Sequence, residues 1–383
     1  MDRRSFMLYV AKGVTMSTSL LIQLMIARTN GVENFGIWSL FLNLSLIFST
    51  LGDFGVGLNG PAMIQQYNGQ SWAVMADHWR KRLSIIAGLF MVFSMIIVYP
   101  ALAPHMLLGT VMVFCQGFLQ DWYDRGMIRP ERAAYRQMLQ GLFQVSAVAL
   151  VLFLGGSFSM ASGVYAFMAA LSYLLFYRKI EKLTISRHDS KGWLKQQFPV
   201  LAGWALYYLT YNLPALLLGF LYQPDKLGLY SSHYFIYATV GTFSVITMDI
   251  FMAKSKDNSR KFWLFLSSVL GMLMIMISFF YYPLLFGSKG FEWDLVLNIE
   301  MVVLCGILGL RLYYLNGLLI EAKTREFGLW NGVSFVLHIL LIILIFIIFK
   351  SYELWMATGG LILSELTTLL LFSINRKRAH AKG

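Results

Sequence analysis

The chain has 383 residues, of which 58% are apolar and only 13% charged, and its mean hydropathy is +0.63. Soluble domains hold about 45–50% apolar and 25% charged residues, so a water-soluble enzyme is excluded. The formal net charge of +12 is accounted for at a membrane surface and implies no nucleic acid partner.

Apolar runs recur near residues 7–27, 37–59, 83–103, 105–121, 137–157, 160–177, 198–221, 229–251, 263–285, 295–319, 328–349 and 353–373. Each can cross a hydrocarbon core of roughly 30 Å as a helix. Open strands would leave backbone groups unpaired in lipid. The pattern predicts an all-α polytopic membrane protein of about 12 transmembrane helices, with ten or eleven possible around the break at Pro100 and Pro104. Positive charge sorts to alternate loops. Arg80, Lys81, Arg82, Arg125, Arg129, Arg132, Arg136, Arg178, Lys179, Lys182, Lys323 and Arg325 fall on one side, whereas Arg28, Lys226, Lys289 and Lys350 fall on the other. The rule that cytoplasmic loops retain Lys and Arg places both termini in the cytoplasm.

Taken in order, span one carries Lys12, which either snorkels to the inner interface or faces a cavity, and Arg28 closes its outer end. Asp53, between Gly52 and Gly55, either caps a helix and pairs with a cation or titrates with a coupled ion. After span four, Asp121-Trp122-Tyr123-Asp124 reads as a solvated helix end among arginines. The basic stretch 179–197 is a cytoplasmic linker between residues 1–178 and 198–383, each a six-helix lobe, the second ending in a basic cytoplasmic tail. Phe35-Gly36-Ile37-Trp38-Ser39 and Leu227-Gly228-Leu229-Tyr230-Ser231 stand at equivalent points of the two lobes, an internal echo of the kind parallel-repeat transporters show.

Spans seven and eight are rich in aromatic residues with polar tips: Tyr207, Tyr211 and Asn212 ahead of Pro214, then Tyr234 and Tyr237. These either stack on sugar rings or form an interfacial belt. Pro214 removes a backbone donor in mid-span and marks a hinge. Span ten holds Glu300 and Arg311, and span twelve holds Glu365. Arg311 cannot shed its charge, so it calls for a substrate or an ion-pair partner. Glu300, three turns away, is too distant to be that partner. Asp53, Glu365 and Glu300 are the candidates for ion coupling.

There is no Gly-rich phosphate loop and no Cys or His cluster with metal-ligand spacing, so no cofactor, metal or catalytic residue is expected. Cys115 and Cys305 lie within spans as small core residues. A membrane acyl- or glycosyltransferase would need a partnered catalytic group at the surface. Its nearest candidates, His105 and Glu33, have no recognisable partner.

The stretch Ala27-Arg28-Thr29-Asn30-Gly31-Val32-Glu33-Asn34-Phe35-Gly36 resembles the first outer loop of the Wzx polysaccharide flippases, of the superfamily that holds the MATE multidrug extruders and MurJ. Asp53-Phe54-Gly55-Val56-Gly57, Leu285-Phe286-Gly287 and Gly309-Leu310-Arg311-Leu312-Tyr313 add to the likeness; Trp122 followed by Arg125-Gly126 departs from the family's Trp and Gln-Gly. The resemblance implies a two-lobed carrier, not an enzyme. It would take an undecaprenyl-diphosphate-linked oligosaccharide across a bacterial inner membrane by alternating access, for O-antigen or a related surface polysaccharide. Membrane lipids surround it, and a polysaccharide polymerase and a chain-length regulator are implied partners. Arg311 with Lys12 and Arg28 would hold the diphosphate, and the aromatic residues would line the sugar path. A cation-coupled multidrug exporter on the same fold is the alternative.

Overall fold

The computed structural model describes residues 3–66, 70–127, 130–178, 180, 187–221, 223–253, 260–287, 289–315, 318, 323–349 and 354–380. Among them are helices and turns and no strand. The long helices are Arg3–Asp53, Gln70–Val98, Pro130–Phe153, Phe158–Leu175, Arg187–Phe220, Pro224–Ala253, Leu295–Tyr314, Thr324–Phe349 and Leu354–His380, with the pair Arg260–Met276 and Ser278–Phe286 between. Among the described residues, seven helical stretches are long and apolar enough to cross a membrane, and the last-named pair, bent by 67°, passes the same test taken together. The chain is a multi-pass membrane protein.

The twelve apolar runs map onto these helices with local departures. Spans one and two are two helices that meet at a kink, where Gly31 alone leaves helical geometry at φ 78 and ψ −177. A left-handed φ costs glycine little, so the expected outer loop shrinks to a single residue. Span four is broken into the short turns Ala103–Met106, Leu107–Thr110, Val111–Cys115 and Gln116–Phe118. Pro104 stands in the first, and a Cβ at Gly109 would fall inside the Phe41 ring. Spans seven and eight lie in single helices of 34 and 30 residues.

The helix surfaces are inverted relative to a soluble protein. Ile85, Leu89, Phe93, Ile96 and Ile97 are exposed along one stripe of Gln70–Val98, while Arg80 and Ser84 are buried. On Thr324–Phe349, Leu340, Ile343, Leu344 and Ile347 face outward, and Asn331, Ser334 and His338 face in. Lipid takes the apolar face, and polar groups find partners inside.

Contacts divide the chain into two bodies, Met1–Leu201 with Gly219–Pro224, and Ala202–Leu218 with Asp225–Gly383. The changeover from the first to the second falls within the Arg187–Phe220 helix, whose first turns occupy residues 187–197 of the expected linker. The two echoing segments occupy the same register. One helix resumes at residue 32 after Gly31 and the other starts at Pro224, each three residues before its motif. Phe35, Trp38 and Ser39 are buried in the first copy, as are Leu227, Tyr230 and Ser231 in the second.

Candidate functional site

In the second body, Arg311 is 1% exposed and Glu365 fully buried. The Leu295–Tyr314 helix presents the guanidinium and the Leu354–His380 helix the carboxylate, and the two form an ion pair through Nη1 and Oε2. Asn331 Oδ1 accepts from Nη2, and the Asn331 amide donates to the Phe327 carbonyl at 2.8 Å. Ser334 Oγ donates to Glu365 Oε1 at 2.7 Å. The guanidinium lies 4.7 Å from the Tyr207 ring centroid and 5.3 Å from that of Tyr211. Desolvating two ions costs several kcal/mol each, and the pair persists because hydrogen bonds and ring faces surround it. Two buried donors in this cluster, Arg311 Nε and the Tyr211 hydroxyl, have no hydrogen-bond partner among the described residues.

The tyrosines extend the cluster. Tyr207 and Tyr211 have ring centroids 4.7 Å apart, and Tyr234 touches Tyr230 at 5.8 Å and Tyr237 at 5.3 Å. Tyr237 is within electrostatic reach of Tyr211 and Tyr207, so both helices contribute to one aromatic wall. Asn212 does not join it, since its amide donates to the Tyr208 carbonyl one turn back at 2.8 Å. The helix continues through buried Pro214. Glu300, half-buried, lies against Gly359 rather than against Arg311. Thr358 sits beside its carboxylate, close enough to bias it yet outside hydrogen-bond geometry. His233 is structural: Nδ1 faces the Leu229 carbonyl at 3.0 Å, and Nε2 accepts from the Asp294 amide at 3.1 Å.

The other candidates belong to the first body. Asp53 caps the Val56–Gln66 helix, accepting from the Gly57 amide at 2.6 Å, and pairs with buried Arg80 at 2.6 Å. Arg80 also donates to the carbonyls of Leu119 and Gln116, supplying donors where the broken span ends without its own. Arg28 is exposed one turn before Gly31. The side chain of Lys12 lies outside the described residues.

The solvated helix end expected at Asp121 is a buried ionic centre instead. Arg136 grips Asp121 with two bonds at 2.6 and 2.5 Å, and Gln137 adds a third at 2.8 Å. Arg132 stands 3.9 Å from Asp124. Nearby, Lys81 pairs with Asp77 at 2.5 Å and lies over the Tyr177 ring. Charge alone suggests a solvated end here, and only the packing of the Pro130–Phe153 helix against the Asp121–Gly126 turn buries the pair. Asn331 and Ser334 were legible in principle, as polar residues on one face of an otherwise aliphatic run.

A family described as "Polysaccharide biosynthesis protein" matches residues 3–249. No curated protein matches the sequence. Among solved structures, an inward-facing multidrug resistance MATE family transporter of the MOP superfamily has a TM-score of 0.69 at 14% identity, covering 96% of this chain and 95% of that one. The lipid II flippase MurJ, in an inward closed conformation, has a TM-score of 0.70 at 10% identity, covering 97% and 87%. At such identities the likeness is one of fold.

Proposed function

The chain belongs to the polysaccharide biosynthesis protein family, and on that premise we propose that it is a flippase. It carries an undecaprenyl-diphosphate-linked oligosaccharide from the cytoplasmic to the periplasmic leaflet of a bacterial inner membrane, with both termini in the cytoplasm. The observation that carries this reading is the pair of buried, unsatisfied donors, Arg311 Nε and Tyr211 Oη, beside the Arg311–Glu365 ion pair. A diphosphate presents acceptor oxygens to both, and a guanidinium fork takes two of them at once.

Glu365 holds the position a substrate phosphate would need, so binding requires that the carboxylate give up Arg311. Neutralising Glu365 frees the cation for the lipid diphosphate; ionising it ejects the substrate. Glu365 is thus the ion-coupling group, with Glu300 feeding it. Asp53, held by Arg80 and by its own cap, has a structural role. Tyr207, Tyr211, Tyr234 and Tyr237 stack on the sugars, Lys12 and Arg28 contact the headgroup at the two ends of its path, and Pro214 is the bend. An inside-negative potential favours outward movement of the anion by about 2.3 kcal/mol per charge per 100 mV. The exporter reading draws on the MATE likeness, but a buried guanidinium in the aromatic wall repels a lipophilic cation.

Deletion of the gene, complemented with wild type or Arg311→Ala at equal membrane levels, tests this reading. Surface polysaccharide returns with wild type and not with the variant, and lipid-linked repeats accumulate on the inner leaflet. Unchanged polymer in the deletion would favour the exporter.

A further inference from the structure

Three helices of the second body hold buried polar side chains that substrate binding does not use. On Thr324–Phe349, His338 stands one turn beyond Ser334, and both are fully buried. Ser334 already donates to Glu365 Oε1 at 2.7 Å. Residues four apart on a helix face have Cβ atoms about 5–6 Å apart, a gap one water bridges. His338 in turn lies against the Leu354–His380 helix, its Nε2 3.9 Å from where a Cβ on Gly360 would stand. At the neighbouring position, Glu300 Oε1 is 3.4 Å from where a Cβ on Gly359 would stand, with Thr358 beside it. Two consecutive glycines therefore let a half-buried carboxylate and a buried imidazole approach the same turn of one helix.

We propose that Glu300, His338 and Ser334 form a proton route that loads Glu365 from the outer side of the membrane. It rests on the reading of Glu365 as the group that competes with substrate for Arg311. The balance is simple. A hydronium ion gives its proton to Glu300, which passes it to one nitrogen of His338 while the other nitrogen gives up a proton toward Ser334. Ser334 gains that proton and yields its own to Glu365 Oε1. His338 and Ser334 end neutral, Glu365 ends as a carboxylic acid, and Arg311 keeps its charge. The groups facing Glu365 are Arg311 on one helix, Ser334 on the second, and Tyr207 and Tyr211 on the third, with Asn331 held on Arg311 and His338 one turn beyond Ser334. Asp294, on the turn before its own helix, is within electrostatic reach of Glu300.

The test uses full-length protein in liposomes on a solid-supported membrane, without substrate, and records the displacement current after an external pH step. Wild type gives a fast current and Glu365→Gln none. Glu300→Gln and His338→Gln give currents about a hundredfold slower. Wild-type speed in both route variants, with none in Glu365→Gln, overturns the route and leaves Glu365 as the coupling group. A wild-type current in Glu365→Gln overturns the destination, and the polysaccharide assay then judges the flippase reading separately. If His338→Gln does not survive gel filtration, Glu300→Gln carries the test alone, since glutamine keeps the volume of the half-buried side chain.

Discussion

A buried ion pair is costly to make and more costly to halve. Removing Arg311 strands a fully buried Glu365, so Arg311→Ala should destabilise the protein by about 3–5 kcal/mol, read as a lower melting temperature in detergent. The double variant Arg311→Met, Glu365→Leu should regain most of that stability while transport stays lost, because apolar replacements of similar volume remove both desolvation costs. If the double variant melts as low as the single, the residues pack independently. A second prediction concerns Asp124, outside the spans. Burial pushes its carboxyl from 3.8 up to about 6, with Asp121 adding to the rise and Arg132 opposing it. Its folded state holds the proton more tightly than the unfolded one, so its contribution to stability is complete below about pH 4 and lost as pH rises through about 6. Asp124→Asn should flatten that fall in a thermal melt, and an unchanged slope would assign it to another group. At this scale the sequence exposes single members of each pair. Arg311 and Glu365 stand out because charge is expensive in an apolar span, but their pairing joins positions 54 apart in the chain, which no local pattern reveals. Asp53 is the converse, since the glycines around it already announce a cap.

Some breaks between helices are set by left-handed glycines, and their costs can be ranked. Gly55 at φ 74 and Gly155 at φ 73 pay the same conformational charge if replaced by alanine, about 1–2 kcal/mol. Only Gly55 adds a steric term, because its Cβ would stand 2.9 Å from Val200 Cγ1, whereas nothing lies within 4 Å of Gly155. Gly55→Ala should therefore destabilise more than Gly155→Ala in parallel melts, and equal effects would show that the Val200 contact relaxes freely. Helical elements were legible wherever twenty apolar residues run together, as in Thr324–Phe349. They were not legible where one glycine replaces a loop, as at Gly31, or where packing against Phe41 and Lys81 breaks a span into short turns. Apolar length reports what a segment can do in lipid, and close glycine contacts decide what it does.

Across the whole chain, composition is sufficient to specify an all-helical membrane protein, and the fold shared with MATE and MurJ structures agrees with it. Among the described residues, the first body is tied together by Asp53–Arg80, Asp77–Lys81 and Asp121–Arg136, and the second holds the buried Arg311–Glu365 pair bordered by tyrosines. The central claim is that Arg311 exchanges Glu365 for a lipid diphosphate. Its most direct test is flipping of a fluorescent short-chain polyprenyl-diphosphate oligosaccharide in proteoliposomes, followed by quenching from outside with a membrane-impermeant reductant. Wild-type protein should expose the lipid to the quencher, Arg311→Lys should do so slowly because an ammonium lacks the fork, and Arg311→Met, Glu365→Leu should not do so at all while remaining folded. Wild-type flipping by that folded double variant would contradict the account.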